Sequence, residues 1–207
     1  AFAARGANLA LVDVKREYLA SSHGEEDAKK CFVPTNLLDQ AQVSAMAAAV
    51  TARFGRIDVL CNIAGIGHFA YDEEESLDWW NRIIGVNLTG TFLMSQACLP
   101  HLKKAKGAIV NCASTAGTNA QPLSSAYSAS KGGVISLTQT MAITNGKAGV
   151  RVNAVAPGGV NTAITEQFPI PEDADMTLFM RIMPFIDMGE PEELASAFAF
   201  LASSDAS

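Results

Sequence analysis

Five short apolar runs, at 8–13, 30–33, 57–61, 108–112 and 150–155, recur along the chain with longer stretches between them. None alternates polar with apolar residues as a half-exposed strand would, so each suits a strand buried on both faces. The stretches 39–54, 77–104 and 124–145 are long and periodic enough for helices. Strand and helix in alternation demand a parallel sheet with right-handed crossovers. No repeat, low-complexity segment or linker interrupts the order, and one domain over 1–207 is expected.

Composition supports a sizeable core. With 49% apolar and 17% charged residues, a chain of 207 needs neither disulfide nor metal to hold its fold and is not disordered. Fifteen basic residues against 21 acidic ones, a net charge of −6, argue against nucleic acid or an anionic membrane as partner. No 18 apolar residues run uninterrupted, so no membrane span is expected. Cys31, Cys61, Cys98 and Cys112 lack Cys-x-x-Cys spacing and suit reduced thiols in a cytoplasmic protein. Ala1 to Ala7 resembles the last turn of a helix with Gly6 just past its end, and carries no signal-peptide pattern. The helical run 194–202 is followed by only a few small residues, so the chain is expected to be a piece of a domain.

Local punctuation places the helices. Asp39 and Ser76 can cap the runs that follow them, and Gly55 can stop the first of those runs. The acidic run 72–75 then serves as a solvated entry to the helix at Leu77; a catalytic carboxylate pair is the alternative, though adjacent loop residues have no fixed separation. One of Trp79 and Trp80 should pack inward while the other covers the surface. His68 either edges a pocket or sits on the surface, and His23 and His101 have no partner at a useful spacing.

In open parallel sheets the ligand crevice lies beyond the carboxyl ends of the strands. The first run ends in Asp13, which could receive the hydroxyls of an adenosine ribose and repel a 2′-phosphate, or simply start a turn. The third runs into Asn62-Ile63-Ala64-Gly65, where glycine lets backbone approach a ligand or make a tight turn. Beyond the fourth stands Ser114, followed by Tyr127 and Lys131, whose spacing of four puts them on one helix face. An ammonium beside a phenol stabilises the phenolate and brings a poor acid–base catalyst toward the working pH, while a hydroxyl such as Ser114 positions the substrate oxygen.

Taken together, Asp13, Asn62 to Gly65, Ser114, Tyr127 and Lys131 resemble the short-chain dehydrogenase/reductase family. Val86-Asn87-Leu88-Thr89-Gly90, Arg151 to Gly158 and Gly189 to Ala195 extend the likeness over essentially the whole chain. The resemblance implies an α/β fold: a Rossmann-like, doubly wound parallel sheet in a three-layer α/β/α sandwich, truncated at both ends. The family's opening strand and glycine-rich turn precede Ala1 and its last strand follows Ser207, which leaves a gap in the sheet between the strands ending at Asp13 and Cys61. Two departures stand out: only the first of a paired Asn is kept, at Asn62, and Asn36 replaces an Asp that faces the adenine.

The family's chemistry implies NAD as cofactor and interconversion of a secondary alcohol and a ketone by hydride transfer. Tyr127 would be the general acid–base and Lys131 would lower its pKa and hold the nicotinamide ribose. Ser114 would position the substrate and Asn87 would hold a water. Cofactor contacts fall on Asp13, Asn36, the Leu37 backbone, Asn62, Ala64, Gly65 and the Pro157-Gly158 turn, with Val160 toward the carboxamide and Thr162 toward the phosphates. The region from Ile164 to Met188, with Phe168, Met176, Phe179, Met180, Met183, Phe185 and Met188, would cover a hydrophobic substrate or simply pack a lid. A dimer or tetramer through the helices at 88–104 and 124–145 is implied. The alternative is an inactive relative or fragment that only binds or oligomerises.

Overall fold

The computed structural model describes residues 1–164, 169–180, 182 and 187–207. A single 3-10 turn, Ala3–Arg5, ends at Gly6 in the left-handed region, at φ 81°, as the opening residues led us to expect. Strands β1 (Leu9–Asp13), β2 (Lys30–Pro34), β3 (Val59–Asn62), β4 (Ala108–Cys112) and β5 (Arg151–Val155) match the five apolar runs to within two residues. Helices α1 (Arg16–His23), α2 (Gln40–Phe54), α3 (Leu77–Ile84), α4 (Gly90–Ala105), α5 (Ala116–Asn119), α6 (Ser125–Asn145), α7 (Met176–Phe179) and α8 (Pro191–Ala202) connect and follow them.

The caps form as the local chemistry requires. Asp39 accepts the N–H groups of Ala41 and Gln42, and Ser76 accepts that of Trp79. Gly55, at φ 79°, closes α2 with its N–H on Thr51 O, a conformation that a side chain would strain. Trp80 is half-buried while Trp79 is 38% exposed.

All strand pairs are parallel. Among the described residues they form two groups, β1-β2 and β3-β4-β5, with β1 and β3 facing one another across a cleft instead of hydrogen bonding. Helices α2, α4 and α6 lie side by side on one face, and α1 and α8 pack against the strands as well, giving three layers. One apolar core joins the parts: Val43, Met46 and Val50 from α2 meet Met94 and Leu102 from α4, Ile109 from β4 and Met141 from α6, and Ala10 and Val12 of β1 pack on it.

Within the stretch Leu77–Ala105, 18 consecutive residues reach a mean hydropathy of 1.2, and the stretch is long enough to cross a bilayer. Its setting is that of a core helix, because Asn87, Thr91 and Ser95 are buried along it and hydrogen-bonded inside the fold.

Polar side chains also cross the sheet. Asn62 donates to Ser95 Oγ at 3.1 Å and to Asn111 Oδ1 at 2.8 Å, and Asn111 in turn donates to Thr138 Oγ1 at 2.9 Å. Asn111 is fully buried, so each bond replaces one that water would have made. Removing the middle of this chain strands its neighbours in a dry interior. Asn111→Ala should therefore lower the unfolding free energy by about 1–3 kcal/mol in a denaturant titration; a loss under about 0.5 kcal/mol, the range of a neutral surface change, would contradict this account.

Candidate active site

Parallel pairing brings the strand ends to one edge. Asn62 is level with Asn111 and Cys112 with Val155, and beyond them Ala113 N–H bonds Val155 O at 2.8 Å and Thr115 N–H bonds Pro157 O at 2.9 Å. A cleft opens along this edge and continues between β1 and β3, where the two groups of strands do not pair.

Helix α6 carries Tyr127 and Lys131 to this edge. Lys131 is 3% exposed, and its Nζ donates to Cys112 O at 2.8 Å while lying 5.7 Å from the centre of the Tyr127 ring. Gly117 makes the approach possible, because a Cβ there would stand 2.6 Å from the Lys131 carbonyl carbon. Ser114 Oγ accepts the Ala116 N–H at 3.1 Å, and its hydroxyl is also hydrogen-bonded to Tyr127.

The electrostatics differ from the sequence expectation. Burial pushes the Tyr127 phenol above its usual range, the Ser114 hydrogen bond pulls the other way, and the Cys112 thiol adds to the rise. Lys131 was expected to lower this pKa. Its ammonium is committed instead to the Cys112 carbonyl, and burial draws its own pKa down, opposed by Cys112. As it stands, the phenol holds its proton at neutral pH. Burial also pushes the Cys61 thiol to about 12 and that of Cys98 to about 11, which makes both inert as nucleophiles.

Asn87 sits where the expected continuous helix widens into a π turn. Residues Gly85–Thr89 form a π turn between α3 and α4, with Gly90 N–H reaching Gly85 O. Such turns often mark functional positions. The Asn87 amide, 1% exposed, receives the Ile66 N–H and donates to Ile66 O, both at 2.9 Å, and donates to Ser130 Oγ at 2.9 Å. Ser130 passes the contact on to Tyr127 O at 2.7 Å. The expected water-holding amide thus spans from the β3 loop to α6, with its bonds made to protein.

Every cofactor position inferred from the sequence lines the cleft. Several have prior commitments. Asp13 Oδ1 accepts the Lys15 N–H at 3.0 Å, so the carboxylate makes the turn as well as facing the cleft. Asn36 Oδ1 accepts the Leu38 N–H at 3.0 Å. The Asn62 side-chain amide points into the sheet, toward Ser95 and Asn111, which leaves its backbone on the cleft side. Thr162 Oγ1 lies 3.5 Å from Val160 O, and Val160 bridges to Gly189.

A nicotinamide dinucleotide fits these residues. A Cβ on Gly158 would meet nothing within 4 Å, so the backbone there is open to a flat ring, whereas at Gly65 the same direction is taken by Asn87 Oδ1 and Lys131 Nζ, both 3.4 Å away. Asp13 offers a carboxylate at the other end of the same cleft. Among the described residues no group of His, Cys, Asp and Glu could hold a metal ion.

The cover over the substrate side is only partly as expected. Phe179 is buried, edge-on to Phe69 at 5.2 Å, whereas Met176 and Met180 are exposed. Met188 lines the cleft as expected, and Ile164, Ile170 and Ile182 line it beside Met188. Phe168, Met183 and Phe185 lie outside the described residues.

The acidic run is not simply solvated. Glu75 turns inward to His68, at 3.1 Å, and His68 stacks on Trp79 at 4.6 Å. His101 also finds a partner, Thr51 Oγ1, at 3.4 Å. Neither contact has a sequence period that would reveal it.

A doubly wound parallel sheet with a lysine–tyrosine pair at its carboxyl edge defines the class, and known proteins narrow it. A family model described as Enoyl-(Acyl carrier protein) reductase matches residues 1–207. The chain is 38% identical to 3-oxoacyl-[acyl-carrier-protein] reductase FabG of Thermotoga maritima, covering 100% of this chain and 84% of that protein. It is 39% identical to meso-2,3-butanediol dehydrogenase of Serratia marcescens, covering 100% and 81%. The crystal structure of 3-ketoacyl-(acyl-carrier-protein) reductase from Brucella melitensis complexed with NADH superposes with a TM-score of 0.89 at 33% identity, covering 99% of this chain and 84% of that one. These are oxidoreductases. The chain belongs to the short-chain dehydrogenase/reductase family.

The direction of the phenol's shift is open to test without turnover. In a pH titration of phenolate absorbance, the signal lost in Tyr127→Phe should appear above pH ~10, the ordinary tyrosine value; a component titrating near neutrality would contradict the dominance of burial.

Proposed function

We propose that the chain is an NAD-dependent oxidoreductase that interconverts a secondary alcohol and a ketone, with Tyr127 as general acid–base. The observation that carries this reading is the Tyr127 hydroxyl, hydrogen-bonded to Ser114 at the mouth of a cleft whose floor holds the buried ammonium of Lys131. Ser114 would hold the substrate oxygen while Tyr127 gives or takes the proton at that atom. Lys131, drawn from Cys112 O, would hold the nicotinamide ribose, with the backbone of Ala64, Gly65, Pro157 and Gly158 around the ring. The bound nicotinamide would supply the hydride exchange with the substrate carbon.

Asp13 supports NAD over NADP, because a carboxylate at a β-strand end accepts ribose hydroxyls and repels a 2′-phosphate. The aliphatic side chains of Ile164, Ile170 and Ile182, with Phe69, support a hydrophobic small substrate. Exposed Phe92 on α4 and Ile143 on α6 support pairing of copies through those helices, as a cytoplasmic dimer or tetramer.

Tyr127→Phe should cut turnover by about 10²–10⁴-fold, the usual weight of a positioned acid–base group, while NADH still binds in a fluorescence titration. Unchanged turnover would contradict the assignment. The raised phenol pKa also sets a direction: ketone reduction uses the protonated form, already present at neutral pH, whereas alcohol oxidation needs the phenolate. Initial rates of oxidation should therefore climb as pH rises through the alkaline range while those of reduction fall, and a pH-independent oxidation rate would count against Tyr127 as the base.

A further inference from the structure

We propose that His68 is a positioning residue for the substrate side of the site: its pairing with Glu75 holds residues 66–75 as a strap that ties Asn87, the approach to Tyr127 and the substrate cover into one unit. The kinetic consequence rests on the oxidoreductase reading above; the strap itself does not.

The strap is fastened at both ends and along its length. Ile66 exchanges two hydrogen bonds with the Asn87 amide. Ala70 N–H bonds Leu123 O at 2.8 Å, and Asp72 accepts from Ser125 Oγ, so two contacts reach the turn and first residue of α6 that precede Tyr127. Leu123 has a φ of 55°, a conformation that a leucine keeps only when its surroundings impose it. Phe69 meets Phe179 edge-on, and Tyr71 Oη donates to Asp173 O at 3.3 Å, so two more contacts reach the cover. The strap therefore joins Asn87, the start of α6 and the cover.

His68 closes the strap upon itself. Its Nε2 lies 3.1 and 3.2 Å from the two oxygens of Glu75, seven residues on, and the Glu75 side chain is only 8% exposed. A carboxylate so enclosed is costly without a partner. Removing His68 leaves that charge seeking water, and the way to water is outward, away from Asn87 and Phe179.

Arg82, on α3, lies 5.0 Å from the centre of the same Trp79 ring that His68 meets, so the indole sits between the strap and α3.

Deuterium exchange at the Ile66 and Ala70 amides should quicken in His68→Ala and return to the original rate in His68→Gln, whose amide can still donate to Glu75. With a secondary alcohol and NAD, His68→Ala should raise KM by about tenfold, the weight of one charge-assisted hydrogen bond, with kcat within about twofold, and His68→Gln should restore KM.

Amide exchange unchanged in His68→Ala would overturn the proposal. So would a loss confined to kcat. Absence of turnover in every variant would count against the oxidoreductase reading alone, and amide exchange would then decide the strap.

Discussion

The hydrogen bond from Lys131 Nζ to Cys112 O sets the geometry of the whole site. An ammonium that is 3% exposed is tolerable only if it is hydrogen-bonded, and this one finds its partner at the carboxyl end of the central strand β4. The bond therefore fixes how α6 lies on the sheet. One turn earlier on the same helix, Tyr127 is brought level with the strand end and meets Ser114, while Gly117 gives up its side chain so that the loop can pass against the backbone of Lys131. Cost and use coincide: the same burial that draws the lysine pKa down raises that of the phenol, and leaves a proton donor facing the cleft.

Buried polar side chains extend this constraint in two directions. Through the sheet, Asn62, Asn111 and Thr138 join β3, β4 and α6, with Ser95 of α4 at the other end. Across the mouth of the cleft, Asn87 and Ser130 join the β3 loop to α6 next to Tyr127. Described buried side-chain polar atoms all have partners, so these networks are fully satisfied and act as rigid ties. β1 and β3, by contrast, face one another across a cleft lined by apolar side chains and are joined through the shared core.

Much of this was legible in the sequence, for reasons that are local. Strands buried on both faces leave apolar runs, and the caps at Asp39, Gly55 and Ser76 act within a few residues of themselves. The spacing of Tyr127 and Lys131 on one helix face is a local fact too. What sequence could not supply is direction and environment. Asn62 stands where backbone close to a ligand was expected, and the direction of its side chain, into the sheet toward Ser95 and Asn111, has no signal in the sequence. Lys131 was expected to depress the Tyr127 pKa, and the carbonyl of Cys112 and the dryness of the site reverse that balance. The Gly85–Thr89 π turn, the pairing of His68 with Glu75, and the choice of isoleucines over Met176 and Met180 to line the cleft all depend on which elements meet in space.

The central claim is that Ser114 and Tyr127 act together on one substrate oxygen beside the ammonium of Lys131. A crystal structure of the chain with NADH and a ketone analogue tests it most directly. The account predicts the ketone oxygen within hydrogen-bond reach, about 2.6–3.2 Å, of both Ser114 Oγ and Tyr127 Oη, with Lys131 Nζ on the nicotinamide ribose. A ketone oxygen bound elsewhere in the cleft, with Tyr127 Oη turned away from it, would contradict it.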